Sequence, residues 1–370
     1  MNEQVRTTVL IPAIENFVLF STVFALAGFV LAFAIRQVSA KGLWRQRADS
    51  AARLYTAALI APPLASLWLV AAAFLPRLWL TPEAFEGVHS APYHQLHLLG
   101  ELTVALEPTL SYAMALFVIV ISVFAVWSNA AGSLRVGSVL KRLDLNAAAP
   151  PAEQVALVND IAAQRGLAVG LVMTDYPLSF VWGFRRSKLI LSSGLLRTLT
   201  AKELTGVLEH EAAHHARRDN LFKLLLSLCS YASLAFPLSR LILRWRATEV
   251  EAICDEAAAA RTSAPLEIAE ALVKLRRQTI AGYVAPEPTA TNAIVSGFVS
   301  GNTSTFQYRV GRLLSLLDSM PDAAERRTHR YAKRATAMFI ATSLVTLLGV
   351  SVFAPLSVHH AAETLIQILK

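Results

Sequence analysis

His210-Glu211-Ala212-Ala213-His214 sets two imidazoles four residues apart with a carboxylate beside the first. On an α-helix that spacing puts both rings on one face, about one turn apart, where they can reach a single zinc ion. The glutamate between them can hold a water at that ion and take its proton, the arrangement of metal-assisted hydrolysis. A catalytic zinc takes three protein ligands and keeps one position open. Downstream, Thr248-Glu249-Val250-Glu251-Ala252-Ile253-Cys254-Asp255-Glu256 supplies carboxylates. Glu251 and Asp255 are again i and i+4, so one can bind the ion while the other orients a histidine from behind. Glu249 competes with Glu251 as third donor, and the i+4 partner Asp255 favours Glu251. Asp219, five residues beyond His214 and at the end of the first helix, can pair with an arginine or accept from a histidine's second nitrogen.

Other residues near the motif have plainer readings. His215 points about 100° away around the helix and is a non-ligand. Cys254 reads as a small buried residue packing the second helix, and Cys229 as inert within an apolar stretch. Two cysteines make no disulfide framework and fit a reducing compartment. Asn302-Thr303-Ser304 matches a glycosylation acceptor, empty on the cytoplasmic side assigned below.

The elements that position these residues follow from local signals. Thr200 with Glu203 is a capping-box signature for a helix running to about Arg218. Further helices are expected at 153–165, 246–261, 265–283 and 306–317, and short strands at 167–174, 180–184 and 188–191, with turns at Pro177, Gly183 and Arg185-Arg186. Residues 146–151 read as a linker and 285–305 as a loop. The strand 179–183 is an expected edge on which a substrate adds a strand, or else an ordinary hairpin strand.

Composition places this unit at a membrane. Of 370 residues 55% are hydrophobic and only 16% charged, against about 25% charged in a soluble globular chain. Mean hydropathy is +0.48. This excludes a disordered chain and argues against an all-soluble enzyme. Uncharged apolar stretches at 17–35, 54–76, 109–134 and 335–358 are each long enough to span a bilayer. Arg36, Lys41, Arg45, Arg47 and Arg53 lie between the first two; Arg326, Arg327, Arg330, Lys333 and Arg334 precede the fourth. The positive-inside rule then puts both termini outside and residues 135–334 in the cytoplasm. The net charge of +8 is thus mostly membrane topology and needs no nucleic-acid partner. Positives follow the first apolar stretch, so no cleaved signal peptide is expected. Residues 221–243 are apolar but contain Lys223, Pro237 and Arg240. A single crossing there would separate the zinc ligands, so the stretch reads as an interfacial or re-entrant helical hairpin.

His210-Glu211-x-x-His214 with Arg218-Asp219, then Glu251-x-x-Cys254-Asp255, resembles the gluzincin membrane metalloproteases, and most closely the BlaR/MecR-type regulatory proteases. The approach at 171–195 and Phe236-Pro237 are similar to that family as well. The resemblance covers roughly 151–317. It implies His210, His214 and Glu251 as ligands of one zinc ion, Glu211 as general base, and Asp219 and Asp255 as supports. Arg309, in Tyr308-Arg309-Val310, falls where relatives carry an arginine on a late helix, and no role follows for it. The penicillin-binding sensor domain of the family's best-known members is not expected, since only residues 359–370 follow the fourth stretch.

The expected fold is therefore a multi-span α-helical membrane protein with a cytoplasmic α+β zincin-like metalloprotease domain. Residues 1–134 hold three spans, 135–334 the protease domain, and 335–370 the fourth span and a short outer tail. The expected function is an inner-membrane zinc metalloendopeptidase acting on cytoplasmic or juxtamembrane protein, a transcriptional repressor or itself being candidates. The rivals are an HtpX-like quality-control protease and a non-proteolytic signalling or scaffold protein, the latter disfavoured by an intact Glu211. His89, His94, His97, His359 and His360 fall outside the membrane and read as scattered histidines or as a pH- or metal-responsive patch.

Overall fold

The computed structural model describes residues 11–40, 48–79, 119–128, 148–183, 187–280, 295–297 and 303–318, with a few isolated positions between 113 and 131. The expected fourth span, the basic cluster at 326–334 and the five outer histidines lie outside the described residues. Of the third apolar stretch, the helical segment Ile119–Ser128 is described.

Helices α1 (Ile11–Ala40) and α2 (Ala48–Trp79) form an apolar pair. Within them Asn16–Gln37 and Ala48–Ala71 are long and apolar enough to cross a membrane, with hydropathies of 2.5 and 1.7. Val23, Leu26, Val30, Leu31, Leu64 and Leu67 are exposed.

The rest of the described chain follows as α3 (Ala152–Arg165), β1 (Ala168–Val172), β2 (Ser179–Trp182), β3 (Lys188–Ser192), α4 (Ser193–Thr198), α5 (Ala201–Arg217), α6 (Asp219–Tyr231), α7 (Phe236–Thr262), α8 (Pro265–Ile280), β4 (Val295–Gly297) and α9 (Thr303–Asp318). The sheet runs in the order β1-β3-β2-β4, with β1 parallel to β3 and the other pairs antiparallel. The α+β arrangement agrees with the sequence reading. Two details differ. β2 is an interior strand, not an edge, because β4 pairs with it at Phe180 opposite Gly297. β4 arises within the stretch read as a loop; three residues carry no periodicity, and pairing with β2 alone makes them a strand.

Alternation decides which face of the sheet meets the helices. Val181, Leu189 and Leu191 enter one core with Ile161 of α3, Leu204, Val207 and Leu208 of α5, and Ile268 and Leu272 of α8. The i, i+3, i+4 spacing of Leu204, Val207 and Leu208 gives α5 its apolar stripe and leaves other faces for chemistry. Gly206 permits the α5–α8 contact, since a Cβ there would lie 2.6 Å from Ile268 Cγ1. On another face Glu209 is buried and accepts from Arg165 at 2.7 Å and Arg261 at 3.0 Å, tying α3 and α7 to α5.

The largest departure from sequence expectation is α7. A helix was expected from 246; the structure runs one helix from Phe236, with Pro237 in its first turn, through Thr262. Proline is tolerated there because its missing N–H has no intrahelical acceptor, and no breaker follows until Ser263. α6, the turn at 232–235 and α7 make the hairpin anticipated for 221–243. Its tip meets α1 at Ser21, whose Oγ donates to Ala232 O at 2.7 Å, and at Thr22, whose Oγ1 accepts from Leu234 N at 3.1 Å. Its base meets α1 at Trp245, with Phe29 stacked at 5.8 Å and the Arg36 guanidinium 5.0 Å from the ring centroid. Thr22 and Arg36 are fourteen helical steps apart, so the hairpin follows α1 for about 20 Å.

Candidate metal centre

The capping box that begins α5 is formed. Thr200 Oγ1 accepts from Glu203 N at 3.4 Å, and Glu203 Oε2 accepts from Thr200 N at 2.7 Å. Glu203 also receives Lys274 Nζ at 2.7 Å, fastening α8 to the same end. At its other end α5 closes through Arg218, whose backbone is left-handed at φ 54° and ψ 40°. That turn places Asp219 as the first residue of α6, where sequence reasoning had put it at the end of α5. The reversal carries the carboxylate back onto the helix just left, and Asp219 Oδ2 lies 2.9 Å from His214 Nδ1.

The three expected ligands meet. His210 Nε2 and His214 Nε2 are 3.1 Å apart. Glu251 Oε2 lies 3.6 Å from the first and Glu251 Oε1 3.6 Å from the second. Behind His210, its Nδ1 lies 2.8 Å from Asp255 Oδ1. The rival Glu249 points elsewhere, its Oε2 accepting from Tyr308 Oη at 2.7 Å. His210, Glu211, His214, Asp219, Glu251 and Asp255 are all buried. Glu211 Oε1 accepts from Ser179 Oγ of β2 at 2.9 Å. Its buried Oε2 has no hydrogen-bond partner among the described residues.

These donors fit a metal ion. Both imidazoles have their Nδ1 edge on a carboxylate, which turns the Nε2 lone pairs toward each other and toward Glu251. Three lone-pair donors facing one buried point repel unless a cation lies between them. The spacings of 3.1, 3.6 and 3.6 Å bracket the separation of about 3.3–3.5 Å between donors on a tetrahedral zinc. Burial opposes charge on His214, yet Cys254, Glu251 and Asp219 outweigh it and hold its pKa well above the ordinary value. Burial likewise pushes Glu251 up, but His214, His210 and Arg309 draw it well below the usual carboxylate range. For Glu211 burial wins over His210, His214 and Ser179, and its carboxyl is raised. A base with a raised pKa is suited to carry a proton.

A second grouping overlaps the first: His214, Asp219 and Cys254 also lie close enough to share an ion. Cys254 Sγ is 3.5 Å from His214 Nδ1 and 3.9 Å from Asp219 Oδ2. The thiol is raised by burial despite His214 beside it. This is the behaviour of a packing cysteine, and Cys254 does pack on Ala52 of α2, Ala213 of α5 and Val250.

Residues 152–279 match the model of Peptidase family M48. The match covers about a third of the chain and supports a metalloprotease; zinc dependence is general in M48. No curated protein matches the chain. The M48 match runs from α3 through most of α8 and takes in His210, Glu211, His214, Asp219, Glu251 and Asp255. It ends before β4 and α9.

Sequence reasoning missed two members of the site. Ser179 carries no local signal, since only the packing of β2 beside α5 brings it to Glu211. The motif spacing gives Arg309 no role, yet its position does: it falls inside the apolar stripe of Phe306, Val310, Leu313 and Leu316, where a charge must find a partner. His215 stands apart from the ligands as expected, with Nδ1 2.5 Å from Ser187 Oγ. It lines a cavity of 270 Å³ with Val181, Ser187, His214, Asp219 and Asn220, open beside the metal centre.

Proposed function

We propose that the protein is a membrane-embedded zinc metalloendopeptidase that cuts cytoplasmic or juxtamembrane protein. The observation that carries this reading is the convergence of His210, His214 and Glu251 beside a buried glutamate with one oxygen unengaged. His210 Nε2, His214 Nε2 and a Glu251 oxygen would hold the ion, and Asp255 and Asp219 fix the two rings from behind. The chemistry a bound zinc supplies is Lewis-acid activation of water and polarisation of the scissile carbonyl. Ser179 holds Glu211 Oε1, which leaves Oε2 to take the proton of the attacking water and pass it to the leaving amine.

The membrane setting is supported by the apolar α1–α2 pair and by the hairpin that follows α1 for about 20 Å. Such a depth favours a re-entrant hairpin over an interfacial one. α2 meets the site itself, with Ala52 against Ala213 and Cys254, and Thr56 Oγ1 accepting from Arg246 Nε at 2.9 Å. On this reading the centre sits where a cytoplasmic face meets the bilayer of the inner membrane. Multiple spans with both termini outside, and a repressor or the chain itself as substrate, complete the regulatory reading. A second reading is the quality control of damaged membrane proteins by the same centre.

The test compares terminal peptides by mass spectrometry in cells carrying the native protein or Glu211→Gln. Loss of a small set of cleavages, including one in a repressor, supports regulation. Loss of many cleavages in membrane proteins supports quality control, and identical peptides in both would sink the protease reading.

A further inference from the structure

Arg309 is 1% exposed and among the largest buried side chains of the described residues. It lies on α9, beyond the segment that matches M48. Its Nε is 2.7 Å from Asp255 Oδ2 and its Nη2 2.8 Å from Asp255 Oδ1. Its Nη1 is 3.3 Å from Glu251 Oε2. One planar fork thus grips both carboxylates of the Glu251-x-x-Cys254-Asp255 segment. Asp255 Oδ1 is shared between Arg309 and His210 Nδ1, so the chain of contacts runs from α9 through α7 to the zinc-motif helix. Two buried carboxylates one helical turn apart repel, and with no cation between them one must turn away or protonate. The guanidinium prevents both. It also fixes the oxygen of Glu251 that faces His210, because a rigid fork bound at two edges defines a direction that a single ammonium does not.

Neighbouring pairs hold α9 to α7 without touching this segment's inward carboxylates. Tyr308 reaches Glu249, Arg312 reaches Glu256, and Thr305 Oγ1 lies 3.3 Å from Thr248 Oγ1. We propose that Arg309 is a positioning residue of the metal centre: it holds Asp255 against His210 and aims Glu251 at the two imidazoles, making α9 part of the centre. The proposal rests on the metalloprotease reading above.

The test uses the purified full-length protein and measures zinc affinity by chelator competition and the absorption spectrum of the cobalt form. Arg309→Met and Arg309→Lys are expected to bind zinc about 10–100-fold more weakly and to shift the cobalt bands. Added guanidinium ion should restore part of the affinity of Arg309→Met. Arg312→Gln, which loosens α9 without reaching Glu251 or Asp255, should match wild type in both readouts. Wild-type affinity and spectrum in Arg309→Lys would overturn the proposal, and that variant keeps the test open if Arg309→Met does not fold. Failure of the wild-type protein to bind zinc or cobalt would instead sink the metalloprotease reading itself.

Discussion

Glu249 and Glu251 are two residues apart on α7 and face opposite requirements. Glu249 meets a phenol, Tyr308, and is pushed up by burial; Glu251 meets two imidazoles and a guanidinium and is held as the carboxylate. Glu251→Ala should weaken zinc binding about a hundredfold or more, whereas Glu249→Ala should leave zinc bound, with occupancy read by metal analysis of purified protein. The reverse result would shift the ligand by two residues. At this scale most of the site was legible in the sequence, because i, i+4 spacing on two helices dictates which side chains share a face. Ser179 and the role of Arg309 were not, since each depends on which strand or helix packs alongside.

The elements owe their placement to caps and turns as much as to apolar periodicity. α5 is fixed at one end by Thr200 and Glu203 and at the other by the left-handed Arg218. Burial alone would raise Glu203, but Lys274 and the Thr200 N–H outweigh it and lower its pKa. A carboxyl lowered on folding contributes stability above its ordinary pKa of 4.5 and loses that contribution as pH falls through the lower folded value. Glu203→Gln keeps the cap geometry and removes the charge. Thermal unfolding against pH should therefore show it less stable than wild type by about 0.5–1 kcal/mol near neutrality, with the gap closing below pH 4.5. A gap that persists unchanged in acid would mean that the charge contributes nothing. Capping and helix periods were readable in advance; the uninterrupted run of α7 and the pairing of β4 with β2 were not, because both are decided by packing partners distant in sequence.

For the whole molecule, the two sequence segments that carry the centre must meet although an apolar stretch lies between them. The α6–α7 hairpin achieves this by running out and back beside α1. Cysteines placed at Arg218 and Arg244 in a background lacking Cys229 should both react with an impermeant reagent from the cytoplasmic side, while one at Leu234 should react from neither side. Labelling of 218 and 244 from opposite sides would break the single-centre arrangement. The most direct test of the central claim is X-ray absorption at the zinc edge on full-length Glu211→Gln protein. The account predicts one zinc per chain with a nitrogen and oxygen shell at about 2.0–2.2 Å, two of the donors being imidazoles. A sulfur scatterer at about 2.3 Å would move the ion to His214, Asp219 and Cys254 and contradict it.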